Sequence, residues 1–181
     1  MEQSSILASI ATPFAYILVP IVGYHAWQLA AAAVTGFIAK ENVVGTLAVC
    51  YGISNLIDTE ALEMAQGAGS EVAAVFGMTK AAALAYLMFN LFTPPCFAAI
   101  GAMNSEIADR KWLLGGIGLQ LATGYTAGFL VYQIGTLVTE GHLGAGFVPG
   151  LAIVAAIAAV IAALCAKGDA KRKERKQALW I

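Results

Sequence analysis

Lys40 and Glu41 stand side by side inside an otherwise apolar stretch, residues 26 to 51, that is long enough to cross a bilayer. Counted along a helix from Ala26, Lys40 falls about 21 Å up the axis, inside a hydrocarbon core about 30 Å thick. Ionisable groups at that depth cost about 2.5 to 3.5 kcal/mol each, so they face a partner or a polar cavity and mark routes for ions or protons. A second chemical cluster, Asn90, Thr93, Pro94, Pro95 and Cys96, lies within residues 80 to 103. Two consecutive prolines cannot continue an unbroken helix, and they leave the Asn90 and Leu91 carbonyls without i+4 donors. Irregular backbone at membrane depth persists where protein or a water-filled cavity satisfies it, and transporters use such breaks to gather oxygens around cations. Freed carbonyls, the Thr93 hydroxyl and the Cys96 thiol are therefore expected at one depth. A kinked structural helix without a ligand is an equally common result of a proline pair, and a lone intramembrane cysteine is more often a packing residue.

The elements that must position these groups follow from composition. At 60% hydrophobic and 12% charged, with a mean hydropathy of +0.77, the chain reads as an all-α integral membrane protein. Four stretches are long enough to span as transmembrane helices: 26 to 51, 80 to 103 (proline-broken), 111 to 138 and 147 to 166. A shorter segment, residues 6 to 22, carries Pro13 and Pro20 and reads as a partial, re-entrant or interfacial helix. On a continuous helix Lys40 and Glu41 diverge, and Gly36 and Gly45, each one turn away, make room beside them for backbone or water. The competing reading is a lysine and a glutamate each satisfied within the bundle and holding two helices in register. Gly116, Gln120, Gly124 and Gly128 recur every four residues and predict a packing face. Gln120, Tyr125, Tyr132 and Gln133 are expected to bond between helices more than to line a pathway.

Six of the ten Lys and Arg residues fall between Lys167 and Lys176, and Arg110 and Lys111 sit in the 104 to 111 loop. Both regions are expected on the cytoplasmic side, with the acidic 52 to 79 loop and the 139 to 146 loop outside. The basic tail reads as a topology anchor and solvated end, ahead of specific binding to anionic lipid. The first residues lack the basic region of a cleaved signal, so the first helix is expected to be kept. Cys50, Cys96 and Cys165 fall within spans and are expected as thiols. No phosphate-binding loop and no His-Glu-x-x-His occurs, and the serines lie outside the spans or at their edges. The chain is thus expected to bind no nucleotide and no nucleic acid and to be no enzyme, while His25 and His142 read as loop or interface residues.

The run Thr35-Gly36-Phe37-Ile38-Ala39-Lys40-Glu41-Asn42-Val43-Val44-Gly45-Thr46-Leu47, followed by Tyr51-Gly52, resembles a signature in the carboxyl-terminal half of the FeoB family of prokaryotic ferrous-iron transporters. Phe92-Thr93-Pro94-Pro95-Cys96-Phe97-Ala98-Ala99-Ile100 is similar to that family's Thr-Pro-Cys segment, and Lys111-Trp112 and Phe129 to Gln133 follow in order. Pro95 doubles the family's proline, and the segment after Ile100 is less basic than the family pattern. The resemblance implies a gate-type membrane domain over 1 to 138, a final helix over 139 to 166 and a basic cytoplasmic tail over 167 to 181. It also implies a prokaryotic cytoplasmic membrane as the location, and Fe²⁺ as the transported substrate. Cys96, Glu41, Asn90 and Thr93 would be transient iron ligands, a borderline set able to release the ion. Lys40 would act as gate or counter-charge, with Gly36, Gly45, Pro94 and Pro95 shaping the path. The bilayer is one partner. The other is a first transporter half with its GTPase domain, on a separate chain or removed by truncation, or else a second copy of this chain in a homo-oligomer. A gate-type transporter for a nucleoside or another divalent cation, and a non-transporting membrane scaffold, are the competing functions.

Overall fold

The computed structural model describes residues 6–51, 57–58, 63–64, 76–107 and 109–178. Seven helices account for most of them: α1 (Ile6–Val22), α2 (Trp27–Gly36), α3 (Asn42–Tyr51), α4 (Lys80–Phe92), α5 (Phe97–Ile107), α6 (Arg110–Glu140) and α7 (Phe147–Ala178). Strand pairing among the described residues is limited to Ile57 with Met64 and Asp58 with Glu63, antiparallel. Most of the acidic 52 to 79 loop, and Gly52, lie outside the described residues.

The all-α membrane fold is as expected, and three stretches are long and apolar enough to cross: Lys80–Ile107, Arg110–Glu140 and Phe147–Gly168. The expected crossing over 26 to 51 is corrected, because that stretch breaks into two ten-residue helices, α2 and α3, each too short to span. Its apolar first half instead belongs with α1, the two meeting at a 101° bend. That bent pair is a broken crossing or a re-entrant loop, so the candidate crossings among the described residues number three, or four if it counts as one. The break has a local cause. Gly36 is a poor helix former, and the charged and polar run Lys40-Glu41-Asn42 follows one turn later. The last carbonyls of α2 are taken by tightened turns, from Phe37 N to Val34 O (3.1 Å) and from Ile38 N to Thr35 O (3.0 Å). A Cβ on Gly36 would lie 2.6 Å from Val43 Cγ2, so any larger residue there would force Val43 or α3 to shift from its place against α2.

The side-chain pattern is that of a bundle in lipid. On α4 the buried residues are Ala81, Ala82, Ala85 and Tyr86, whereas Leu84, Leu87 and Leu91 are exposed. Small residues let backbones approach, and large apolar ones face hydrocarbon. Facing α4, Gly135 meets Ala81, Gly128 meets the Ala85 carbonyl and Phe89, and Gly124 meets Phe89 O, Phe92 C and Thr93 N at 3.2 to 3.3 Å from a notional Cβ. The packing stripe therefore exists, but it runs from Gly124 to Gly135 and omits Gly116, beside which there is open space.

At the other end of α6, Gly141 closes the helix in the left-handed conformation (φ 72°), its N–H bonding Leu137 O at 3.1 Å. The segment after it packs on α1, where a Cβ on Gly146 would lie 3.1 Å from the Pro20 backbone. Tyr132 fills the space where side chains at Gly23 and Gly144 would lie, and the Gly144 N–H donates to Gln133 Oε1 at 2.9 Å. The chain divides into two compact units, residues 1–147 and 148–181. The second unit is nearly all of α7, which stays helical through the basic segment to Ala178, so the expected tail is a helical extension over most of its length.

Candidate functional site

The proline pair does break its helix. Residues 93–96 separate the 13 residues of α4 from the 11 of α5, close to the middle of the 28-residue apolar stretch. Thr93 ends α4 in an extended conformation (ψ 158°), its N–H bonding Phe89 O at 3.0 Å, and its hydroxyl donates to Asn90 O at 2.9 Å. Pro94 is fully buried. The carbonyls freed by the prolines do not wait for a solute. The Lys40 ammonium donates to Asn90 O at 2.8 Å, to Thr93 O at 2.9 Å and, at longer range, to Leu91 O at 3.4 Å.

One short break thus satisfies another. Lys40 reaches from the turn between α2 and α3 to the end of α4, where helix carbonyls carry partial negative charge that favours a cation. A backbone bond fixes the two breaks together, from Phe97 N at the start of α5 to Phe37 O, 3.1 Å. Tyr86, one turn before Asn90, donates from its buried hydroxyl to Leu29 O at 2.8 Å and ties α4 to α2. Asn90 turns its own side-chain amide back to Tyr86 O at 2.9 Å. A cavity of about 10 Å³ lies at the junction, lined by Gly36, Lys40, Asn90, Thr93 and Pro94 among others. That is room for about one water-sized body.

Of the residues expected to form the site, the structure brings Gly36, Lys40, Asn90, Thr93 and Pro94 to this cavity. Cys96, half-buried and a free thiol, lies within electrostatic reach of Lys40 but is not in the cavity wall. Glu41 is exposed and makes no salt bridge among the described residues. Gly45 lines a different feature, an open cleft of about 420 Å³ beside α3 with Thr35, Ile38, Asn42, Thr46, Val49 and Cys50. Among the described residues no three of His, Cys, Asp and Glu gather closely enough to hold a metal ion. The carbonyls expected as metal ligands instead serve an ammonium, with the Asn90 oxygen accepting from Lys40 and Thr93 together.

Sequence reasoning did not single out the Phe37–Phe97 backbone bond, the Tyr86–Leu29 bond or the Thr35–Thr46 hydroxyl pair at 2.9 Å. The last carried a signal. Thr35 lies five residues before Lys40 and Thr46 five after Glu41, so a chain reversal at the charge pair brings the two together. Of the polar residues on α6, Gln133 bonds the Gly144 backbone, whereas Gln120 Oε1, Tyr125 OH and Thr136 Oγ1 are buried without a partner among the described residues. His25 stacks obliquely on Tyr16 and His142 pairs with Glu140 at 3.1 Å, both at the ends of helices.

The profile of the Gate family, described as nucleoside recognition, matches residues 1–110. Among the curated proteins similar to the chain are three transporters. The Fe(2+) transporter FeoB of Staphylococcus aureus (strain COL) is 28% identical over 140 residues, 75% of this chain and 18% of the relative. FeoB of Methanocaldococcus jannaschii is 30% identical over 62% of this chain and 15% of its own length. An Fe(2+) transport protein A/FeoB fusion protein of Porphyromonas gingivalis is 33% identical over 67% of this chain and 14% of its own length. The chain therefore spans less than a fifth of each of these three. No solved structure gives a significant match.

Proposed function

We propose, for a chain that belongs to the Gate (nucleoside recognition) family and corresponds to the carboxyl-terminal gate region of FeoB, that it forms part of the ion path of a ferrous-iron uptake system. The observation that carries this reading is the meeting of two helix breaks, where Lys40 rests on the carbonyls of Asn90 and Thr93 next to Cys96. Backbone oxygens exposed by a broken helix are suited to a cation in transit, since they bind without trapping. The thiol of Cys96 adds a softer donor that suits Fe²⁺ above Mg²⁺ or Ca²⁺. In this reading Fe²⁺ is the substrate, met in passing by Cys96, Asn90 and Thr93, while exposed Glu41 contributes charge at the approach.

A cavity of about 10 Å³ favours an ion over a nucleoside, because organic ligands occupy about 300 to 1,000 Å³. A nucleoside would have to use the open cleft beside α3. The path is completed by a further gate half carrying the GTPase domain, or by a second copy of this chain. The membrane is the cytoplasmic membrane of a prokaryote, with the basic end of α7 inside; the cluster between Lys167 and Lys176 supports that orientation.

The test is ferrous-iron entry into vesicles holding this chain with a candidate partner half. Cys96→Ser is expected to lower the initial rate at least tenfold at unchanged protein level, and a rate equal to that of the unaltered chain would remove Cys96 from the path.

A further inference from the structure

The oxygens at the break of α4 are already serving a positive charge. Lys40 Nζ lies 2.8 Å from Asn90 O, 2.9 Å from Thr93 O and 3.4 Å from Leu91 O. No carboxylate among the described residues pairs with it, so the ammonium is balanced by carbonyl dipoles, with the Cys96 sulfur within electrostatic reach. Such oxygens can accept either the N–H donors of a lysine tip or a free cation, because both bring positive charge to the same lone pairs. The arm that carries the ammonium is anchored in the five-residue connection between two short helices, and the small cavity lies directly beside it.

We propose that the Asn90, Leu91 and Thr93 carbonyls form a cation site whose resting occupant is the chain's own Lys40. A permeating divalent cation takes these oxygens only as the ammonium leaves. The inference rests on the ion-path reading and adds to it the device that keeps the path shut. Hard divalent cations take carbonyl oxygens at about 2.0 to 2.6 Å, shorter than the ammonium distances here, so the incoming ion must also draw the oxygens inward. The exchange has a second consequence. While Lys40 or a cation is always present, the Leu91 and Thr93 carbonyls at the broken helix end are never left without a partner, and the Asn90 carbonyl keeps more than the Thr93 hydroxyl. A lysine that served only as a structural cap would hold its carbonyls regardless of what ions are present.

The two roles separate by chemistry on the lysine itself. The full chain in nanodiscs is treated with formaldehyde and cyanoborohydride, and methylation of Lys40 is read by mass spectrometry against Lys80 in the same molecule. The reaction is run without added metal or potassium, then with FeCl₂ under anoxia, MnCl₂ or KCl alone. FeCl₂ or MnCl₂ is expected to raise Lys40 methylation about threefold or more, with Lys80 unchanged, as the cation shifts the population toward released lysine. A rise with KCl but with neither divalent salt keeps the cation site and overturns the ferrous-iron reading. No rise with any salt overturns the proposal and leaves the ferrous-iron reading to the Cys96→Ser measurement. In parallel, Lys40→Met removes the occupant and is expected to tighten Mn²⁺ binding about tenfold. Unchanged or weaker Mn²⁺ binding in a folded variant makes Lys40 a cap only. Should that variant fail to fold, the methylation of the unaltered chain decides.

Discussion

An ammonium has three donors and no acceptor, which is why lysine suits the three carbonyls of Asn90, Leu91 and Thr93, where a planar guanidinium would present its donors in a fixed fork. Glycine has the complementary task on α6. A methyl at Gly124 would stand 3.2 Å from Phe89 O and Thr93 N, backbone atoms at the end of α4 joined to each other by a hydrogen bond, so they would have to shift by a few tenths of an ångström. Gly124→Ala is therefore expected to destabilise the chain by about 1 to 3 kcal/mol in thermal or denaturant unfolding. Gly116→Ala, with open space around it, is expected to be neutral or to stabilise by up to about 1 kcal/mol, since alanine is the better helix former. Equal losses at the two sites would refute this account of the stripe. The four-residue spacing made the stripe's face legible but not its extent. Its length is set by α4, which runs antiparallel from Ala81 opposite Gly135 to Phe92 opposite Gly124 and then ends, leaving Gly116 with no such neighbour.

The two breaks differ in how openly the chain declares them. Pro94 and Pro95 mark theirs covalently, through missing N–H groups, and it was readable without a structure. The break between α2 and α3 carries no proline, and hydropathy alone runs straight through it from Ala26 to Tyr51. What ends α2 there is a sum of small terms: Gly36, the polar run at 40–42, and the tertiary bonds from Lys40 and Phe37 that the reversal makes available. Local propensity cannot weigh partners fifty residues away. Replacing both prolines, Pro94→Ala with Pro95→Ala, supplies N–H donors at 94 and 95 for the Asn90 and Leu91 carbonyls. The 80–107 stretch is then expected to run as one helix and to release Lys40, raising its methylation about threefold or more in the absence of any cation. Unaltered methylation would mean that Lys40 holds this end of α4 whether or not the helix is broken.

Among the described residues the burial pattern is that of a protein in lipid: alanines make up much of the interior, with a few large side chains such as Ile21, Leu29 and Phe129, while most leucines and many isoleucines and valines face outward. That class was legible from composition. The crossing count was not, because a 101° bend between α1 and α2 lies at Gly23 and the residues after it, where Gly23 takes a positive φ of 85° and Tyr132 occupies the adjoining space. Parity turns this into a measurement. Three crossings put the chain ends on opposite sides of the membrane and four put them on the same side. A fluorescent reporter after Ile181 is expected to glow and a phosphatase reporter there to stay inactive, placing that end inside; the opposite pair of readings would invert the orientation. The same reporters before Met1 then say whether the bent pair crosses. The longest fully apolar-to-polar rod in the first unit is α6, 31 residues and about 46 Å. Near its midpoint, about 21 Å from Arg110, Gly124 faces the end of α4, where an added Cβ would stand 3.2 Å from Phe89 O and Thr93 N. With that little room at Gly124, a tilt imposed on α6 at either membrane face is expected to press on the backbone of residues 89–93. Force, and not only charge, then has a route to the oxygens that hold Lys40.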